Sequence, residues 1–110
     1  MLKKTNRLLK NTDFARIMRR GRAMANGDFL LKYVKADGSQ SRFGFVISAK
    51  VSKKATERNL LKRRMREIVR GSIKSIAGGY NFVFIARKSS LDLNFNELKE
   101  EIIRLLGKIK

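Results

Sequence analysis

The stretch ATERNLLKRRMREIVRG, residues 55–71, concentrates the chain's chemistry. At about 100° per residue, Lys62, Arg63, Arg66 and Arg70 gather around Asn59 on one side of a helix. Leu60, Leu61, Met65, Ile68 and Val69 take the other side, Arg58 lies near the boundary and Arg64 on the far flank. Charged helix residues ordinarily form a solvated face, where signs alternate and i,i+4 Glu–Lys pairs contribute. Here Arg58, Lys62, Arg66 and Arg70 repeat one sign at that spacing and repel, so something anionic must offset them. Guanidinium groups suit bidentate contact with phosphate. Lys50, Lys53 and Lys54 extend the same basic block upstream.

Composition narrows the chemistry further. The 110 residues contain neither Cys nor His, which excludes disulfide-linked partners, thiolate chemistry, zinc ribbons and a histidine base. The chain carries 27 Lys+Arg against 9 Asp+Glu, a formal charge of +18, and 43% of its residues are hydrophobic. That balance suits one globular domain over residues 1–110 whose partner is a polyanion, nucleic acid before an anionic membrane surface. Residues 1–22 hold eight basic groups and one acid, and residues 50–70 hold nine and two, with near balance elsewhere. Two basic blocks separated by an apolar stretch predict a surface assembled by folding rather than a basic tail. No apolar run approaches the roughly 18 residues of a membrane span, and no signal-peptide pattern opens the chain. It reads as a soluble, unprocessed, cytoplasmic protein. An autonomous nuclease built on carboxylates and a metal is poorly supported. The acids cluster only at Glu97, Glu100 and Glu101, where capping and solubility account for them.

Periodicity supplies the elements that must hold the basic helix. Asn11 or Thr12 can cap a first helix with Phe14, Ile17 and Met18 at i, i+3, i+4, and Gly21 can stop it. Residues 29–34 and 42–48 read as strands, and Asp37-Gly38 between them predicts an antiparallel hairpin. Thr56 and Gly71 are natural caps for the basic helix. Gly78-Gly79 precedes a third strand, Tyr80 to Ala86. Asn94 and Glu97 have capping-box spacing before a last helix with a Phe95, Leu98, Ile102, Leu105, Leu106 stripe, ended by Gly107. The order helix–strands–helix–strand–helix is that of an α+β fold.

The first helix supports two readings. Phe14 and Met18 are ordinary core residues by spacing, yet with Arg16, Arg19 and Arg20 interleaved they could equally make a base-stacking platform beside cations. The Lys32-Tyr33 pair in an otherwise apolar strand is explained by a hairpin with one wet face.

The run Arg58-Asn59-x-x-Lys62-Arg63-x-x-Arg66-Glu67 resembles the RNR signature of the protein component of bacterial ribonuclease P. The resemblance covers nearly the whole chain: the basic opening LKKTNRLLKNTDF, GFVISAKVSKKA, the helix itself and FVFIARKSS. It implies an α/β sandwich around a central mixed sheet of about four strands. It further implies a left-handed βαβ crossover through the basic helix, making the strand before that helix and the third strand parallel neighbours. It implies that the holoenzyme removes the 5′ leader of precursor tRNA, with catalysis by the RNA subunit and its bound Mg2+, and no cofactor held by the protein alone.

Matched residue by residue, Arg58, Asn59, Lys62, Arg63 and Arg66 would meet the catalytic RNA, with Arg70, Lys50, Lys53 and Lys54 beside them. Phe14, Met18, Lys32 or Tyr33, and Ala86 would line a cleft for the single-stranded leader. Two departures from the family pattern stand out. A strand position that is often Tyr is Lys32 here, with Tyr33 one place later, and a one-residue offset sends a side chain to the opposite face. The loop has Ala49-Lys50 where relatives often carry paired lysines, though Lys53-Lys54 restores the charge. A ribosomal or other structural RNA-binding protein would share the composition without needing a leader cleft.

Overall fold

The computed structural model describes residues 6–7, 11–36, 38, 40–76 and 78–109. The elements run α1 (Asn11–Arg20), β1 (Arg22–Ala25), β2 (Phe29–Lys35), β3 (Arg42–Val46), α2 (Ala55–Ser72), β4 (Tyr80–Ala86) and α3 (Phe95–Gly107). Short 3-10 turns follow α2 at Ile73–Ser75 and β4 at Lys88–Asp92. The basic opening at Lys3, Lys4 and Lys10 lies outside the described residues.

The four strands form one mixed sheet in the order β1-β2-β4-β3. β2 is antiparallel to both β1 and β4, whereas β3 and β4 are parallel, joined through α2. This corrects the expected hairpin between residues 29–34 and 42–48, because β4 lies between those two strands. The reason is burial. Phe82, Val83 and Phe84 are fully inaccessible on alternate faces of β4, so that strand needs a neighbour on each edge and a layer on each side. A turn signal shows that the chain reverses; it does not show which strand fills the gap. β1 escaped the sequence reading altogether. Its four residues, RAMA, have no strand propensity of their own and are ordered by pairing Arg22–Ala25 with Tyr33–Leu30.

Alternation along the strands separates two layers. Phe29, Leu31, Phe43, Phe45, Phe82, Phe84 and Ala86 join Leu61, Met65, Ile68 and Val69 of α2 and Leu98, Ile102, Leu105 and Leu106 of α3 in the main core. Phe43 stacks on Phe82 at 5.0 Å and Phe45 on Phe84 at 5.9 Å between ring centroids, following the parallel register. Each such buried Phe contributes roughly 1.5–3 kcal/mol relative to exposure. The opposite face is thinner. There Ile17 of α1 seats on Val83, flanked by Phe14, Val34, Val46 and Ile85.

Local signals account for some boundaries and not others. The capping box at α3 is present: Asn94 Oδ1 accepts from Glu97 N at 2.9 Å, and Glu97 Oε1 accepts from Asn94 N at 3.0 Å. Phe95 nevertheless stays exposed beside that stripe, and Leu60 of α2 is only half-buried. α1 includes both Asn11 and Thr12, so neither stands before its first turn as a cap. Gly21 does end α1: its N–H donates to Ile17 O at 2.8 Å, and a Cβ there would overlap that carbonyl. α2 departs from expectation at both ends. It begins at Ala55 with Lys54 as an uncapped N-cap, not Thr56, and runs past Gly71 to Ser72 before tightening into a 3-10 turn. Nothing within 4 Å of Gly71 forces the left-handed conformation that would stop the helix there.

Candidate nucleic-acid interface

α2 is 18 residues long, about 27 Å at 1.5 Å per residue, and its buried stripe fixes the direction of the rest. With Leu61, Met65, Ile68 and Val69 locked in the core, Asn59, Arg63 and Arg70 are exposed and Lys62 and Arg66 are half-buried along their stems. Among the described residues, Lys62, Arg63 and Arg66 have no carboxylate partner; the ion pair on this helix is Arg70–Glu67 at 3.2 Å. That pair is solvent-exposed and weak, so Arg70 remains available to a stronger anion.

Arg58 does a different job. Its half-buried guanidinium donates Nη1–H to Ser52 O at 2.7 Å, and the Ser52 hydroxyl donates to Glu57 Oε1 at 2.6 Å. Ser52 Oγ also accepts from Lys54 N at 3.2 Å, while Val51 is buried in the main core. The first turn of α2 thus ties down the loop that carries Lys50, Lys53 and Lys54, all three exposed. The sequence pointed to Arg58 as a contact; the structure adds a positioning role. Cations on a tied loop lose less entropy when they bind than cations on a free one.

The α1 side of the sheet holds the second group of residues. Lys32 lies opposite Val83 in the register and so faces α1, where its Nζ donates to Met18 O at 2.7 Å. Phe14 is half-buried against Ile17, and Met18 is 39% exposed. Tyr33 and Ala86 are not there. Tyr33 pairs with Phe82 and Ala86 with Phe29 on the opposite face, and Ala86 is enclosed in the main core. Both are corrected as cleft residues for one reason: strand neighbours point to opposite faces, and these two share the parity of the core.

Two contributors to this side, Arg42 and Asn81, were missed, and they join Arg16, which the sequence had placed beside Phe14 and Met18. A cavity of about 520 Å³ beside α1 is lined by Asp13, Arg16, Val34, Lys35, Arg42 and Asn81, among others. Asn81 lines it with its Oδ1 buried and without a hydrogen-bond partner among the described residues. Arg42 lies opposite Asn81 in the β3–β4 register, on the same face. Strand pairing brings Arg42 and Asn81 together beneath α1, so sequence spacing carried no signal for those two.

The described residues include no group of three His, Cys, Asp or Glu that could hold a metal ion. No helix among them is long and apolar enough to cross a membrane. What the surface offers is cations on both sides of a rigid sheet, suited to phosphate, with apolar side chains beside one group.

Comparison with known proteins matches this arrangement. The family described as Ribonuclease P matches residues 2–110. The ribonuclease P protein component of Exiguobacterium sp. is 37% identical over 109 residues, covering 99% of this chain and 94% of that protein. That of Clostridium botulinum is 37% identical over 106 residues, covering 96% and 95%. The RNase P protein of Thermotoga maritima superposes with a TM-score of 0.88 at 34% identity, over 94% of this chain and 97% of that one. The Staphylococcus aureus RNase P protein gives 0.85 at 28% identity, over 96% and 95%. With the family matched over residues 2–110 and the fold shared at a TM-score of 0.88, the chain belongs to the ribonuclease P protein family.

Proposed function

We propose that this chain is the protein subunit of ribonuclease P, binding the catalytic RNA through α2 and the single-stranded 5′ leader of precursor tRNA through the α1 side of the sheet. The observation that carries the reading is the run Lys62, Arg63 and Arg66, held outward by a buried stripe and left without carboxylate partners among the described residues. On such a face, phosphates replace condensed counterions, and log K falls by roughly 0.7–0.9 per phosphate for each decade of salt. Lys50, Lys53 and Lys54, on the loop that Arg58 ties down, extend the contact.

Hydrolysis of the phosphodiester that frees the leader belongs, on this reading, to the RNA and its bound Mg2+, and the protein improves substrate binding. The leader varies in sequence, which calls for charge and stacking rather than base-edge recognition. Phe14 and Met18 supply apolar contact, and Arg16 and Arg42 supply charge.

The test is to add the purified protein to the catalytic RNA at low magnesium and follow removal of the leader. Restored 5′ processing is expected. Processing unchanged by the protein, or cleavage by the protein without RNA, would overturn the reading.

A further inference from the structure

A second cavity, of about 480 Å³, opens at the end of the sheet where β2 finishes and β4 begins, and no residue of α2 is among its lining. Arg20, Arg22, Lys35 and Lys108 line it together with Tyr33 and Tyr80, and among the described residues no carboxylate does. The register explains the grouping. Arg22 lies opposite Tyr33, and Lys35 opposite Tyr80, so all four side chains project from the face that α3 covers. α3 ends at Gly107, and Lys108 and Ile109 close the cavity from above. The rings of Tyr33 and Tyr80 stand 6.0 Å apart at 70°, each also against Phe82, so the aromatic floor is held rigidly. Both tyrosines are half-buried.

Four cations around two rings, with no acid among the described lining residues, are not explained by solubility. Like charges converging at one spot raise each other's cost. The arrangement matches a nucleotide unit: a base has a π-face for the rings, and its phosphate meets the cations. The cavity shares Val34 and Lys35 with the one beside α1, so a strand leaving the first can enter the second around the end of β2. We propose that the Tyr33–Tyr80 cavity binds one nucleotide of single-stranded RNA, its base against the tyrosines and its phosphate among Arg22, Lys35 and Lys108. The proposal rests on the reading of this chain as an RNA-binding subunit and adds to it a second site, beyond the C-terminal end of α1.

The chain contains two tyrosines and no tryptophan, and both tyrosines line this cavity. The full chain, labelled with 3-fluorotyrosine, is titrated with hexauridylate while its two 19F signals are followed. The signals are assigned with Tyr33→Phe and Tyr80→Phe. Both are expected to move and to saturate together. Arg22→Gln with Lys35→Gln, two exposed positions whose loss leaves the core intact, should raise the half-saturation concentration about tenfold. Oligonucleotide binding detected by anisotropy with both 19F signals unmoved would overturn the site. So would equal shifts produced by inorganic phosphate alone, which would show an anion site without stacking. The strand is then identified by 4-thiouridine placed in the leader or in the catalytic RNA, with the crosslink mapped to the Tyr33 or Tyr80 peptide. Failure of the parent reading is separable, because Lys62→Gln with Arg66→Gln tests catalytic-RNA binding at α2 without touching the tyrosines.

Discussion

The α2 face and the α1 side of the sheet are both basic, yet they are built in opposite ways. On α2 the cations belong to one continuous segment, and the buried Leu61, Met65, Ile68 and Val69 aim them by helical geometry alone. On the α1 side, Arg16 comes from a helix, Lys32 from β2, Arg42 from β3 and Asn81 from β4, and pairing register decides which of them meet. The α2 face is therefore rigid, convex and rich in guanidinium, suited to a folded RNA surface. The α1 side is concave and mixed, suited to a flexible strand. The difference teaches that charge content locates an RNA-binding protein, whereas the distribution of the charge over elements tells what form of RNA each surface takes.

The largest effect should come from breaking the α2 side. Replacing Lys62, Arg63 and Arg66 together by Ala is expected to cost about a hundredfold or more in affinity for the catalytic RNA and to flatten the salt dependence by roughly two units of slope, as three lost phosphate contacts require. A titration across salt concentrations checks it; an unchanged slope would show a merely solvated face. Next, Phe14→Ala should weaken binding of leader-bearing precursor tRNA about tenfold and leave mature tRNA unaffected, since a stacked ring contributes roughly 1–3 kcal/mol. Equal losses for both substrates would remove Phe14 from the leader site.

A smaller effect sharpens the register argument. Lys32→Met removes the bond to Met18 O and one cation from the α1 side, so leader affinity should fall about threefold in the same assay, with catalytic-RNA binding unchanged. The smallest effect on RNA belongs to neither surface. Burial, and then the neighbouring Asp28 carboxyl, push the Glu101 carboxyl above its usual range. A raised folded-state value for an acid means that the native chain binds more protons than the unfolded one. Stability from this group is therefore full below the unfolded value and declines as pH rises through the folded one. Glu101→Gln should make melting less dependent on pH above the ordinary carboxylate range while RNA binding stays the same. Thermal melts at several pH values check both halves.

Legibility followed the range of the interactions involved. The α3 capping box, the extent of β4 and the two faces of α2 were readable because each depends on residues within one or two turns or one strand. The ends of α2 were not. Thr56 and Gly71 carry the right propensities, but Ser52, Glu57 and Arg58 anchor the N-cap two residues earlier, at Lys54, and nothing at Gly71 demands a stop. β1 and the hairpin were misread because a strand's partner is chosen by burial across the whole sheet, and β4 had the stronger claim to the centre. Arg58 was legible as a cation but not as the clamp on the lysine loop, which needs a carbonyl six residues away.

The sequence by itself determined that this protein meets a polyanion, that α2 presents the cations, and that neither thiol nor imidazole takes part. Periodicity and composition are one-dimensional, and they suffice for that much. Only the tertiary structure decided that Lys32 faces α1 while Tyr33 joins Tyr80 on the other side, that Ala86 is core, and that Arg16, Arg42 and Asn81 share a cavity. Those outcomes depend on strand order and register, where a shift of one residue reverses every side chain, and no local pattern sets that choice.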